Sequence, residues 1–498
     1  MNRIVWLMPG SLAVLVGLIL LLRSDPARRP NSDSVPVQVP LIVFCAASNR
    51  PVLEAIRADY EAEFQTPLQI EYGATQTILA AHEISRSGDL FLPADDSYLD
   101  QARAKNLIDE ALPLARMRAV IAVPKGNPKQ FKTLDDLLAE GVRIVQANPE
   151  ATAIGKLTHE ALSRAGTWDR LAARTVALKT TVNEVANDMK VGTADAGIVW
   201  DVVLTPMPEL EAVRLPELDA IVANVSIAVL KSSQQPQRAL HFARYVQAAD
   251  KGLKKYREFG FEPVAGDAWS VYPELTVYAG AMLRPAIDRT IRDFEQREGV
   301  RVTRVYNGCG VLVAQMKAGQ TPDAYFACDR EFMQQVAELF PSPENVAQNE
   351  LVILVQKGNP KGIKSLKDLA KPGLRVGVGH EKQCAMGWLT QKTLKAEKVE
   401  TAVMENVTVQ SPSGDMLVNQ MRAGSLDAAV AYLSNAAGAS EFLDAVRIKG
   451  LPCSVATQPF AVAKSTEHRQ LATRLLERLK SAESRQRFLD EGFQWQVK

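Results

Sequence analysis

The chain is poor in nearly everything that marks a reaction centre. Its 498 residues include five histidines (His82, His159, His241, His380 and His468), and none has a partner at metal-ligand spacing. His380 with Glu381 comes nearest, and a lone loop histidine reads as solvated. No phosphate-cradling G-x-x-x-x-G-K-[ST] loop, no H-E-x-x-H helix and no G-x-S-x-G elbow occurs. The adjacent acids Asp95-Asp96 and Asp135-Asp136 read as solvated turn or helix-start charges, because neighbouring side chains do not share one direction. An excess of either charge is missing too. Lys plus Arg number 58 against 57 Asp plus Glu. That balance excludes the basic footprint of a nucleic-acid binder and any strong pull toward anionic lipid. The chain is therefore read as a non-enzymatic protein that needs no cofactor. A bound anion would have to be held by local dipoles.

What is present begins with a hydrophobic run. Ile4 to Leu22 is nineteen residues without a charge, close to the roughly 20 that span a bilayer core as a helix. It lacks a small-x-small cleavage site, so it reads as an uncleaved transmembrane anchor; a cleaved leader or a buried helix is the alternative. Arg23, Arg28 and Arg29 outweigh Arg3 across the run, which runs against the charge rule for exporting the remainder. Residues 24–39, rich in Pro, Ser and charge, read as a linker.

The strongest signal is duplication. The run from Pro124 to Leu137 (PKGNPKQFKTLDDL) returns as Gln356 to Leu369 (QKGNPKGIKSLKDL), an offset of 232 residues. Gly192–Trp200 matches Gly424–Tyr432 at the same offset, Asp89–Asp95 matches Asp323–Asp329 at 234, and Gly260-Phe261 matches Gly492-Phe493 at 232. This period is a whole domain, far longer than a solenoid repeat. The expected organisation is 1–39 anchor and linker, 40–267 first domain and 268–498 second domain.

Inside a copy, short apolar runs alternate with amphipathic stretches. Leu41–Ala47 reads as a buried strand, Pro51–Phe64 as a helix with Val52, Ile56 and Tyr60 four apart, and Leu68–Tyr72 as a strand. Arg118–Val123 and Val142–Val145 read as further strands. The alternation predicts an α/β fold with mostly parallel, doubly wound sheets, which bind ligands beyond the C-terminal ends of their strands.

The residues Phe44–Ser48 (FCAAS), Tyr72–Thr77 (YGATQT), Gly88–Asp95 (GDLFLPAD), Asn148–Glu150 with Gly155, Ala165–Asp169 (AGTWD) and Gly197–Trp200 (GIVW) follow one another in order over nearly a full copy. In that order and spacing the sequence resembles the periplasmic molybdate-binding proteins of ABC importers. The resemblance implies two tandem type II periplasmic-binding-protein domains, each of two lobes with a hinge. It implies a small oxyanion held between lobes by hydroxyl and backbone N–H donors. Carried over, the contacts fall on Ser48, Thr75, the backbones of Ile154 and Val182, and Trp200, where the family has tyrosine. It also implies an ABC permease as partner and a location at the membrane, outside the cytoplasm. A tethered sensor or scavenger is the alternative.

The second copy departs. Met282 stands for Ser48, Cys309 for Thr75, Met386 for Ile154 and Gly414 for Val182, while Tyr432 restores the family's tyrosine. Four of the five cysteines (Cys309, Cys328, Cys384 and Cys453) lie in this copy. Methionine offers an oxyanion no donor, and soft sulfur suits Cu(I)-like ions. Three readings stand: a thiophilic metal site at Cys309 and Cys384, gap-filling core sulfur with or without a Cys309–Cys384 disulfide, and an anion site made of backbone N–H groups. Cys45 reads as a small buried hydrophobe.

Overall fold

The computed structural model describes residues 39–497. The run Ile4–Leu22 lies outside them. No helix among the described residues is long and apolar enough to cross a membrane.

The first copy opens with β1 (Leu41–Ala46), a strand buried nearly throughout, then a single tight turn Ala47–Asn49 and the helix Arg50–Phe64. Pro51 sits in that helix's first turn, where its missing N–H costs nothing. Val52, Leu53, Ile56 and Tyr60 form the buried face, each stabilising the fold by roughly 1.5–3 kcal/mol if fully withdrawn from water. β2 (Leu68–Gly73), β3 (Leu90–Leu92), β4 (Ile108–Pro124), β5 (Ile144–Ala147), β6 (Thr175–Lys179), β7 (Ala196–Trp200), β8 (Leu210–Val213), β9 (Val222–Leu230) and β10 (Glu262–Pro263) follow. The sheet order is β2-β1-β3-β9-β4-β7-β5-β6, with β8 and β10 also pairing β4.

The expectation of a mostly parallel sheet needs correcting. β1 is parallel to β2 and β3, and β5 to β6 and β7. Every pairing made by β4 or β9 is antiparallel. The reason is the path of the chain. β4 leaves the first lobe and ends in the second: Ile108–Arg118 pairs with β9, and Ala119–Pro124 pairs with β7 and β8. β9 carries the chain back and so runs the other way. Two parallel half-sheets, one per lobe, are joined by these crossing strands.

The second copy repeats this with β11 (Glu274–Gly280), β12 (Arg301–Asn307), β13 (Ala324–Phe326), β14 (Glu344–Gln356), β15 (Val376–Gly379), β16 (Val407–Ser411), β17 (Ala428–Tyr432), β18 (Leu443–Arg447), β19 (Val455–Val462) and β20 (Gln494–Trp495). Its order, β12-β11-β13-β19-β14-β17-β15-β16, is that of the first copy strand for strand. Small details recur as well. Asn127 and Asn359 both adopt positive φ, and each closes its turn by bonding the backbone four residues on. Each copy has its own apolar core, and the two pack together as one compact unit from Leu41 onward.

Candidate functional site

In the first copy, the C-terminal ends of β1, β2, β5, β6 and β7 converge where the lobes meet. Ser48 lies in the turn after β1. It is 5% exposed, and its Oγ has no hydrogen-bond partner. A buried, unpartnered hydroxyl costs on the order of 1–3 kcal/mol, so a ligand that accepts from it recovers that loss. Thr75 is the first residue of the helix Thr75–Ser85. Its Oγ1 accepts from the Ala94 N–H at 3.3 Å, which leaves the hydroxyl proton to donate.

The other lobe contributes two helix starts. Ile154 is second in the helix Ala153–Arg164, and Val182 is first in Val182–Lys190. Thr152 caps the former by accepting from Gly155 N at 3.0 Å. Thr181 and Glu184 cap the latter reciprocally, at 3.3 and 3.2 Å. Each cap engages the third residue's N–H and not those of the first two, which have no intrahelical acceptor. Gly155 is required for the approach of its helix: a Cβ there would lie 2.5 Å from Ala147 O.

Ser48, Thr75, Ile154, Val182 and the buried Trp200 all line one cavity of about 20 Å³. On this measure, the room is little more than one water requires. No ionisable side chain lines it. The lobes touch across it through Gln76 N donating to Ala151 O at 3.2 Å and Asn183 Nδ2 donating to Ala47 O at 3.3 Å. Sequence reasoning missed Thr152, Thr181 and Asn183. The Thr181-x-x-Glu184 capping box was a visible signal for the second of these.

The reading of Asp95-Asp96 as solvated charges is corrected. Asp95 is buried, and its carboxylate accepts from Ser97 N at 3.0 Å and Asn224 N at 3.3 Å. Asp96 accepts from Ser226 Oγ at 2.9 Å, and burial pushes its carboxyl up to about 6. They pin the turn after β3 to β9. Asp135 and Asp136 do start a helix at the surface.

The second copy builds the equivalent cavity, also about 20 Å³, from different chemistry. Met282, Cys384, Met386, Gly414 and Tyr432 line it, and so do Cys328, Asp415 and Asn435. Cys309 does not. It is fully buried, and its Sγ accepts from Cys328 N at 3.1 Å. A Cys309–Cys384 disulfide is not formed: all five cysteines are free. Cys45 is buried in β1, as expected. The Tyr432 hydroxyl has no hydrogen-bond partner. The lobes again touch, here through Gly310 N donating to Gln383 O at 3.1 Å. Among the described residues, no group of three or more His, Cys, Asp or Glu side chains is arranged to hold a metal ion.

Comparison with known proteins agrees with the repeat. The family model described as bacterial extracellular solute-binding protein matches twice, over residues 41–262 and 275–494. The molybdate-binding protein ModA of Mycobacterium tuberculosis is 30% identical over 222 residues, 44% of this chain and 83% of that protein. Among solved structures, the periplasmic molybdate-binding protein of Azotobacter vinelandii matches at 18% identity and a TM-score of 0.38, covering 44% of this chain and 98% of its own. The sulfate-binding protein SubI of Mycobacterium tuberculosis matches at 18% identity and a TM-score of 0.38, covering 45% and 86%. The chain belongs to the bacterial extracellular solute-binding protein family, whose domain it carries twice in tandem.

Proposed function

We propose that the first copy captures a small tetrahedral oxyanion of the molybdate or tungstate kind and delivers it to an ABC permease. The observation that carries this reading is the unpartnered Ser48 hydroxyl, buried in a cavity with no ionisable lining. Thr75 and the free first turns of two helices converge on the same space. Helix N-termini with oriented N–H groups bind anions without a counter-cation. A neutral pocket of donors suits a fully dehydrated dianion, and its size leaves room for a compact solute only. The similarity to molybdate-binding relatives supports the same ligand class.

On this reading, residues 40–267 and 268–498 are the two domains, each closing by hinge motion about β4 or β14. The chain works outside the cytoplasm, and the run Ile4–Leu22 tethers it near its permease.

Isothermal calorimetry on the whole chain against molybdate, tungstate, sulfate and phosphate tests the proposal. The expected result is one molybdate per chain. Ser48→Ala should weaken binding by about 1–3 kcal/mol, roughly 5- to 150-fold. Unchanged affinity in that variant sinks the role of Ser48, and failure of every oxyanion to bind sinks the reading.

A further inference from the structure

We propose that the cleft of the second copy binds a soft monovalent metal ion of the Cu(I) class, through the thiols of Cys328 and Cys384 and the thioethers of Met282 and Met386. All four side chains line one cavity. Met282 and Cys328 come from one lobe, and Cys384 and Met386 from the other, so closing the lobes brings the two pairs together. Two thiolates and two thioethers form a donor set that hard cations and oxyanions reject and Cu(I) accepts.

Two further features favour a cation over an oxyanion. Asp415 lines this cavity at the step where the first copy has the amide of Asn183. Its carboxylate repels a dianion and attracts a metal ion. The Asn435 carboxamide lies where a side chain at position 414 would go, with Oδ1 2.3 Å from a Cβ built on Gly414. It accepts from Tyr432 N and donates to Asp415, so it crowds the helix start that serves as a donor in the first copy.

The sulfurs are also set up to ligate. Cys384 is the N-cap of the helix Ala385–Ala396, and its thiol donates to the His380 and Ser411 carbonyls at 3.6 Å, bonds a metal would replace. Cys309 acts as a positioning residue. Its Sγ accepts from Cys328 N, and a Cβ built on Gly280 would lie 2.0 Å from Cys328 Sγ and 3.1 Å from Cys309 Sγ. Glycine at 280 therefore leaves space for both thiols side by side. Each ligating thiol releases its proton to solvent as the metal binds.

The test uses the reduced whole chain, without oxygen, titrated with Cu(I) in competition with a coloured Cu(I) chelator. One Cu(I) per chain is expected to resist the chelator. Cys328→Ser with Cys384→Ser should weaken its retention by about 100-fold or more, and Met282→Leu with Met386→Leu by about 10-fold. Ser48→Ala and Cys453→Ser should leave it unchanged. X-ray absorption of the copper-loaded wild-type chain should find sulfur neighbours, a readout that survives any folding defect in the variants. Complete loss of copper to the chelator overturns the proposal. So does undiminished binding in the double cysteine variant, a metal with only nitrogen and oxygen neighbours, or a second molybdate per chain. Failure of molybdate to bind the first copy would leave the copper result intact.

Discussion

Ser48 and Met282 occupy the same step of the repeat and end in opposite chemistry. The first puts an unpartnered hydroxyl into its cleft, the second a thioether. Both substitutions were legible in the sequence, because duplicated strands and turns supply their own alignment. The solvent exposure of Asp95 and Asp96 was not. An acidic pair before a helix looks the same whether it faces water or another strand, and only the return of β9 buries it. That burial carries a prediction. The folded value of Asp96, about 6, lies above its ordinary 3.8. Its favourable contribution is therefore present below about pH 4 and is lost as pH rises through about 6. The wild type should lose melting temperature relative to Asp96→Asn between pH 4 and pH 7. Parallel melting profiles for the two proteins would rule this out.

At the scale of elements, the clefts depend on helices starting at set heights above strand ends. Gly155 and Gly387 perform the same task 232 residues apart. A Cβ at either would lie 2.5 Å from backbone of the preceding strand or its end, at Ala147 O and Gly379 O. Gly155→Ala should cost about 1–3 kcal/mol by overpacking, and it should weaken oxyanion binding by moving the Ile154 N–H. Chemical denaturation gives the first number and calorimetry the second; full stability would mean that the helix can slide freely. A further element-level match is the ion pair between the residues that lead into neighbouring parallel strands of each second lobe, β5 and β7 in the first copy and β15 and β17 in the second. Arg143 holds Asp195, and Arg375 holds Asp427. These guanidiniums and the backbone N–H groups beside them keep both carboxyls below the usual range.

The copies are also joined, through features no motif announced. Arg297 of the second copy reaches Asp109 and Glu110 of the first at 2.5–2.9 Å. Arg474 donates to Gln247 at 3.2 Å while holding the buried Glu298. Asp267, between the copies, accepts from the N–H groups of Gln470 and Leu471. Such a junction should make the copies unfold together. Calorimetry of the wild type is expected to give one transition. Arg297→Ala should cost about 1–3 kcal/mol, since hydrogen bonds to charged groups are lost, and split the transition in two. Two transitions in the wild type would show that the junction contributes nothing.

By itself, the sequence determined the duplication, the alternation of strands and helices, and which residues of the two copies occupy equivalent steps. These properties repeat along the chain or follow the local period of burial, so they survive without a third dimension. Tertiary structure alone decided strand direction, because a strand buried on both faces has the same pattern whether it runs up or down. It also decided which polar groups lack a partner, and that Cys328 rather than Cys384 lies against Cys309. Those outcomes depend on which distant segments the folded path brings within a few ångströms, and no local pattern records that distance.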